Sequence, residues 1–159
     1  MTRAYARTGL PLALLFAAVA LGGCGRDADT GLDPNVTTKG SIEVTARLVE
    51  VPEGAIFKKD LYDYAAVLKY QVLQVHRGQV TSDVLYIAHY NPFKPRTEAA
   101  DDRVQRIGGN LRAFQGGQVH RMALEVPIDD HFMGGVIDKY FGQYSAPIHW
   151  AVWTNLVSE

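Results

Sequence analysis

Apolar and polar residues alternate along much of the chain with the period of two that belongs to a half-buried strand. From Ser41 to Val51, Ile42, Val44, Ala46 and Leu48 fall on one side, and Glu43, Thr45 and Arg47 on the other. Tyr64 to His76 is the longest such run. Leu68, Tyr70 and Val72 alternate, after which Leu73 and Val75 carry the apolar phase on the other parity, the shift that a β-bulge produces. Its β-branched and aromatic content favours strand over helix. Val84 to Tyr90 is almost continuously apolar, which predicts a strand covered on both faces. Gln118 to Val126 alternates again, with His120, Met122, Leu124 and Val126 opposite Val119, Arg121, Ala123 and Glu125, and Ile148 to Leu156 reads as an aromatic strand. Pro52-Glu53-Gly54, Arg77-Gly78-Gln79, the Pro92 and Pro95 pair, Gly116-Gly117 and Pro127 punctuate the series. Two segments are candidates for short helices: the charged stretch Thr97 to Arg106, and a stretch capped by Asp130 and running through Phe141, weakened by Gly134 and Gly135. The pattern predicts a mainly β fold. Five strands suit a small OB-like β-barrel with one or two short helices, because closure hides strand edges; a β-sandwich is the alternative.

The amino-terminal stretch follows another rule. Arg3 and Arg7 precede an apolar run from Leu10 to Leu21 and then small residues, the layout of a secretory signal. A run of about a dozen residues falls short of the about 20 that a membrane-spanning helix needs. Leu21-Gly22-Gly23-Cys24 resembles the lipobox of bacterial lipoprotein precursors. That resemblance implies cleavage before Cys24, diacylglycerol on its sulfur and an acyl chain such as palmitate on the new amino group. Two or three chains hold a protein to a bilayer far more durably than one. Gly25, where an Asp would favour inner-membrane retention, points to the outer membrane. Residues 25–40 are rich in Gly, Asp, Thr, Asn and Pro without apolar period, the composition of a flexible tether. The expected organisation is a signal peptide over 1–23, a lipidated cysteine and tether over 24–40, and one β-rich domain over 41–159, long enough for one core.

The segment Tyr70 to Gly78, YQVLQVHRG, followed by the strand Val84 to Tyr90, resembles the aromatic-x-Val-x-x-Val-x-basic-Gly pattern of netrin-like and metalloproteinase-inhibitor-like OB-fold domains. Gly117-x-Val119-x-Arg121-x-Ala123-x-Glu125 is similar to another strand of that group. The resemblance implies the barrel. It does not carry over an inhibitory activity, because the amino-terminal cysteine scaffold of the eukaryotic members has no counterpart here.

Composition narrows the chemistry. The 159 residues carry a net charge of −1, and since only Arg3 and Arg7 are charged before Cys24, the remaining 14 basic and all 17 acidic residues give the later chain a net −3. No basic footprint for nucleic acid remains. The single cysteine excludes an internal disulfide and a cysteine-rich zinc site. His76, His89, His120, His131 and His149 contain no H-x-x-x-H or H-E-x-x-H pair, so no metal site and no cofactor is expected. His89, His120 and His149 sit in different predicted strands and would meet only through the fold. Asp129-Asp130-His131 is a local acid–imidazole group that a helix cap explains equally well. No G-x-S-x-G elbow frames any of the four serines, and the Gly108-Gly109 and Gly116-Gly117 pairs lack the lysine of a phosphate loop.

Aromatic and cationic residues are the remaining signal: Tyr62, Tyr64, Tyr86, Tyr90, Phe93, Trp150 and Trp153, with Lys94 and Arg96 in a proline-bounded loop. Charge-edged rings bind glycans or peptide strands, and OB-type barrels take ligands across a sheet face. Because prolines hold a loop rigid without burying it, Tyr90, Asn91, Phe93, Lys94 and Arg96 are the expected ligand-binding residues. The sequence thus reads as a lipid-anchored protein on the periplasmic side of the cell envelope, acting as a non-enzymatic binding or assembly module with an envelope protein or glycan partner. The alternative is an extracytoplasmic enzyme or accessory factor acting on envelope polysaccharide, with His89, His120, Asp129, Asp130, His131 and His149 assembled only in three dimensions.

Overall fold

The computed structural model describes Met1 and residues 29–52 and 63–158. Cys24, the apolar leader and Tyr62 lie outside the described residues. Among the described residues six strands carry the fold: β1 (Ile42–Glu50), β2 (Ala65–Arg77), β3 (Val84–Tyr90), β4 (Val119–Glu125), β5 (Val136–Ile137) and β6 (His149–Val157). The five long ones lie within a residue or so of the predicted spans. They pair in the order β1–β4–β6–β3–β2, and a further pairing of β1 with β2 closes the circuit. This closed circuit is the OB-like barrel, with β3 and β6 parallel and its other pairs antiparallel.

Closure depends on the length of β2. Ala65–Gln71 pairs with β3, while Lys69–Arg77 pairs with β1. The predicted bulge is present: Thr45 faces Gln74 and Ala46 faces Val72, so Leu73 is skipped. The far end of β2 leaves the core, however, and Leu73 and Val75 are exposed.

Strand alternation then makes two cores. Val44, Ala46, Leu48, Leu68, Tyr70, Ile87, Met122 and Leu124 fill the interior. Ala65, Val67, Ala88, Tyr90, Ile107, Ile128 and Trp150 form a second cluster beneath the long connections. Strand β3 supplies Leu85 and Ile87 to the first and Ala88 and Tyr90 to the second, which explains its unbroken apolar sequence. The glycine pair Gly108-Gly109 runs along β6, with Gly108 accepting from Thr154 N–H at 2.9 Å. A Cβ on Gly109, at φ +136°, would sit 1.9 Å from the Thr154 carbonyl oxygen, so only glycine fits.

Three local expectations are corrected. The stretch from Asp130 through Phe141 is not a helix: Ile128–Asp130 is a 3-10 turn, and Val136–Ile137 is β5, added in parallel to Ala65–Ala66. Gly135 supports it by accepting from Ala65 N–H at 2.9 Å, and two consecutive glycines disfavour helix propagation. Thr97 to Arg106 keeps only the 3-10 turn Arg96–Glu98. Finally, the end of the expected tether is folded. Pro34–Thr38 forms the short helix α1, with Asp33 as N-cap accepting from Asn35 and Val36 N–H, and Val36 is fully buried. Asp33 also accepts from Trp153 Nε1 at 2.9 Å and Asn155 Nδ2 at 2.5 Å on β6, which ties α1 to the barrel. At the other end, Arg77 donates to the Thr37, Lys39 and Gly40 carbonyls, and Arg121 holds the buried Glu43 at 2.6 and 2.8 Å.

Candidate functional site

Three strands bring Tyr70, His89 and His120 together inside the barrel. The Tyr70 hydroxyl lies 3.1 Å from His89 Nε2 and 3.1 Å from His120 Nδ1, and all three side chains are fully buried. The direction of each proton follows from one fixed donor. Gln118 Oε1 accepts the Gln115 backbone N–H at 2.9 Å, so the same oxygen, 3.1 Å from His120 Nε2, accepts from that nitrogen too. His120 Nδ1 is then a bare acceptor and receives the Tyr70 proton. The Tyr70 oxygen accepts from His89 Nε2–H, which leaves His89 Nδ1 as a buried lone pair without a hydrogen-bond partner.

The environment keeps this chain neutral. Burial, reinforced by the Arg96 charge, pushes His120 down to about 3. Burial first, then Arg96 and His120, holds His89 well below the usual imidazole range. Burial lifts the Tyr70 phenol well above its ordinary value. None of the three is a proton donor or acceptor for chemistry near neutral pH.

Arg96, the charged neighbour, turns inward from the loop after β3. Its guanidinium donates to the Tyr90 carbonyl at 2.8 Å, to the Lys94 carbonyl at 2.9 Å and to the Asn91 carbonyl, and it lies 5.0 Å from the Phe114 ring centre. Burial lowers its affinity for the proton to about 10, which still leaves it charged. Asn91, at φ +47°, donates through Nδ2 to the Ala99 carbonyl at 3.1 Å. Lys94 Nζ sits 2.9 Å from Asp63 Oδ1, and that hydrogen bond chiefly lowers the Asp63 carboxyl from its ordinary value. Tyr90 is buried and donates to Asp101 at 2.6 Å. Of the five residues expected to bind a ligand, Tyr90, Asn91 and Arg96 therefore build the loop from within, and Lys94 is engaged in an ion pair. Phe93 lines a cavity.

That cavity, about 200 Å³ and largely enclosed, lies between the loop and the barrel end. Its walls are Val51, Pro52, Ala66, Leu68, Pro92, Phe93, Pro95, Arg112, Ala113 and Phe114. Phe114 also packs against the polar cluster, its ring centre 4.6 Å from His89 and 5.6 Å from His120.

The other candidate groups stay apart. Asp129, Asp130 and His131 are exposed around the 3-10 turn, and His149 is buried in β6. Only His89 and His120 converge, and no group of three His, Cys, Asp or Glu among the described residues could hold a metal ion. A wider groove of about 660 Å³ passes Lys39, Arg106, Glu125, His131 and Trp150. Its ring is no open platform, because Trp150 is buried and stacked on Phe132 at 5.0 Å, and Lys39 lies 4.0 Å from the Trp153 ring centre.

Sequence reasoning missed Tyr70 as a network member and Arg112 and Phe114 as cavity walls. The alternation in β2 does place Tyr70 inward, but Leu111 to Phe114 has no period to read. No protein-family model, curated protein or solved structure matches this chain.

Proposed function

We propose that this chain is a lipid-anchored envelope protein whose barrel works as a non-enzymatic binding module. One observation carries the binding role: a pinned, proline-bounded loop walls an apolar cavity, while the polar cluster next to it, Tyr70, His89 and His120, is buried and neutral. The apolar lining suits a hydrophobic group better than a sugar. The Leu21-Gly22-Gly23-Cys24 motif supports the anchor.

Two experiments test this reading. Cells fed a clickable palmitate analogue label the wild-type chain and leave Cys24→Ala unlabelled; equal labelling overturns the anchor. A photo-crosslinker placed at the half-buried wall residue Val51 in intact cells yields an adduct that Ala113→Leu, which adds bulk to the same wall, abolishes. An adduct indifferent to that change overturns the cavity as the binding site.

A further inference from the structure

The cavity beside Phe93 is specific in size, wall chemistry and charge. Its volume of about 200 Å³ modestly exceeds the about 150 Å³ of an apolar protein cavity that takes benzene. One ring or a short branched chain fits, and a long acyl chain does not. Apart from Arg112, no wall residue is charged, so nothing in the lining answers that cation. Arg112 is exposed and forms no ion pair or hydrogen bond among the described residues. Pro52, Pro92 and Pro95 supply no backbone N–H, so a peptide strand laid along this wall would find few donors for its carbonyls.

We infer that the cavity binds a small amphiphilic monocarboxylate, its single aromatic or branched hydrocarbon body seated between Phe93 and Phe114 and its carboxylate on Arg112. The planar guanidinium fork matches a carboxylate, and the Arg96-pinned loop is already in place before the ligand arrives. This inference rests on the reading of the barrel as a binding module, and it names that module's ligand class.

The test uses the full chain, purified from whichever cell fraction holds it, with 4-fluorophenylacetate as probe and fluorine NMR line broadening as readout. The wild type should bind with a Kd in the millimolar range or tighter. Arg112→Gln should weaken binding roughly fivefold or more, Arg112→Lys should restore part of it, and Ala113→Leu should abolish it. Because Arg112 and Ala113 are exposed, these variants keep the fold. Equal broadening of 4-fluorophenylacetamide overturns the charge assignment, and tighter competition by dodecanoate overturns the size assignment. No broadening at about 10 mM overturns the ligand class. If the cellular crosslink still depends on the cavity in that last case, the binding module stands with another occupant, such as a partner's side chain.

Discussion

Phe114 belongs to two neighbourhoods of opposite character. Around it inside the barrel are Tyr70, His89, His120 and Arg96, all buried and joined mostly to one another or to backbone carbonyls. Around it in the cavity are prolines, aliphatic side chains, Phe93 and the exposed Arg112. In the first neighbourhood burial keeps the ionisable side chains Tyr70, His89 and His120 neutral, and in the second the wall is apolar apart from Arg112. In a low-dielectric interior the charged forms of an imidazole or a phenol are disfavoured, so burial itself holds these groups neutral.

The sharpest way to break the contrast is Arg96→Ala. It strips donors from the Tyr90, Asn91 and Lys94 carbonyls and empties a buried site, so unfolding in urea should show a loss of about 3 kcal/mol or more. It should also enlarge or collapse the cavity, in contrast to any change at Arg112. A loss under about 1 kcal/mol would mean that the loop is held by something else.

Acid is the next largest perturbation. His89 and His120 release protons more readily folded than unfolded, so the unfolded chain binds more protons between the ordinary imidazole value of 6.5 and the folded value of about 3 for His120. Stability is therefore complete above about pH 6.5 and falls as pH drops through this window, by about 1.4 kcal/mol per unit for each histidine. Thermal melts at pH 7.5 and 5.5 should differ by several degrees; coincident melts would show that the pair is not held neutral.

Tyr70→Phe is gentler and more selective. It leaves the His89 Nε2 proton and the His120 Nδ1 lone pair without their partner, at a cost of about 1–3 kcal/mol. The ring packing survives, so the melt should stay cooperative and two-state. At the far end of the scale, Arg112→Gln should change stability by less than about 0.5 kcal/mol, since the side chain is exposed and forms no ion pair or hydrogen bond among the described residues. A larger loss there would transfer Arg112 from the binding surface to the scaffold and remove the contrast.

The sequence by itself determined five strands, their near-exact spans and the bulge at Leu73, because side-chain burial imprints a period of two wherever a sheet has an inside. It also placed the loop at Asn91 to Arg96, because prolines end strands by local chemistry. Only the tertiary structure decided that Arg96 points inward, that Pro34–Thr38 folds as α1, and that His89 and His120 share one hydroxyl. Each depends on partners far away in the chain: Phe114 for Arg96, Trp153 and Asn155 for Asp33, Tyr70 for the two histidines. A local pattern records which face a residue takes, and the circuit of pairings decides what it meets there.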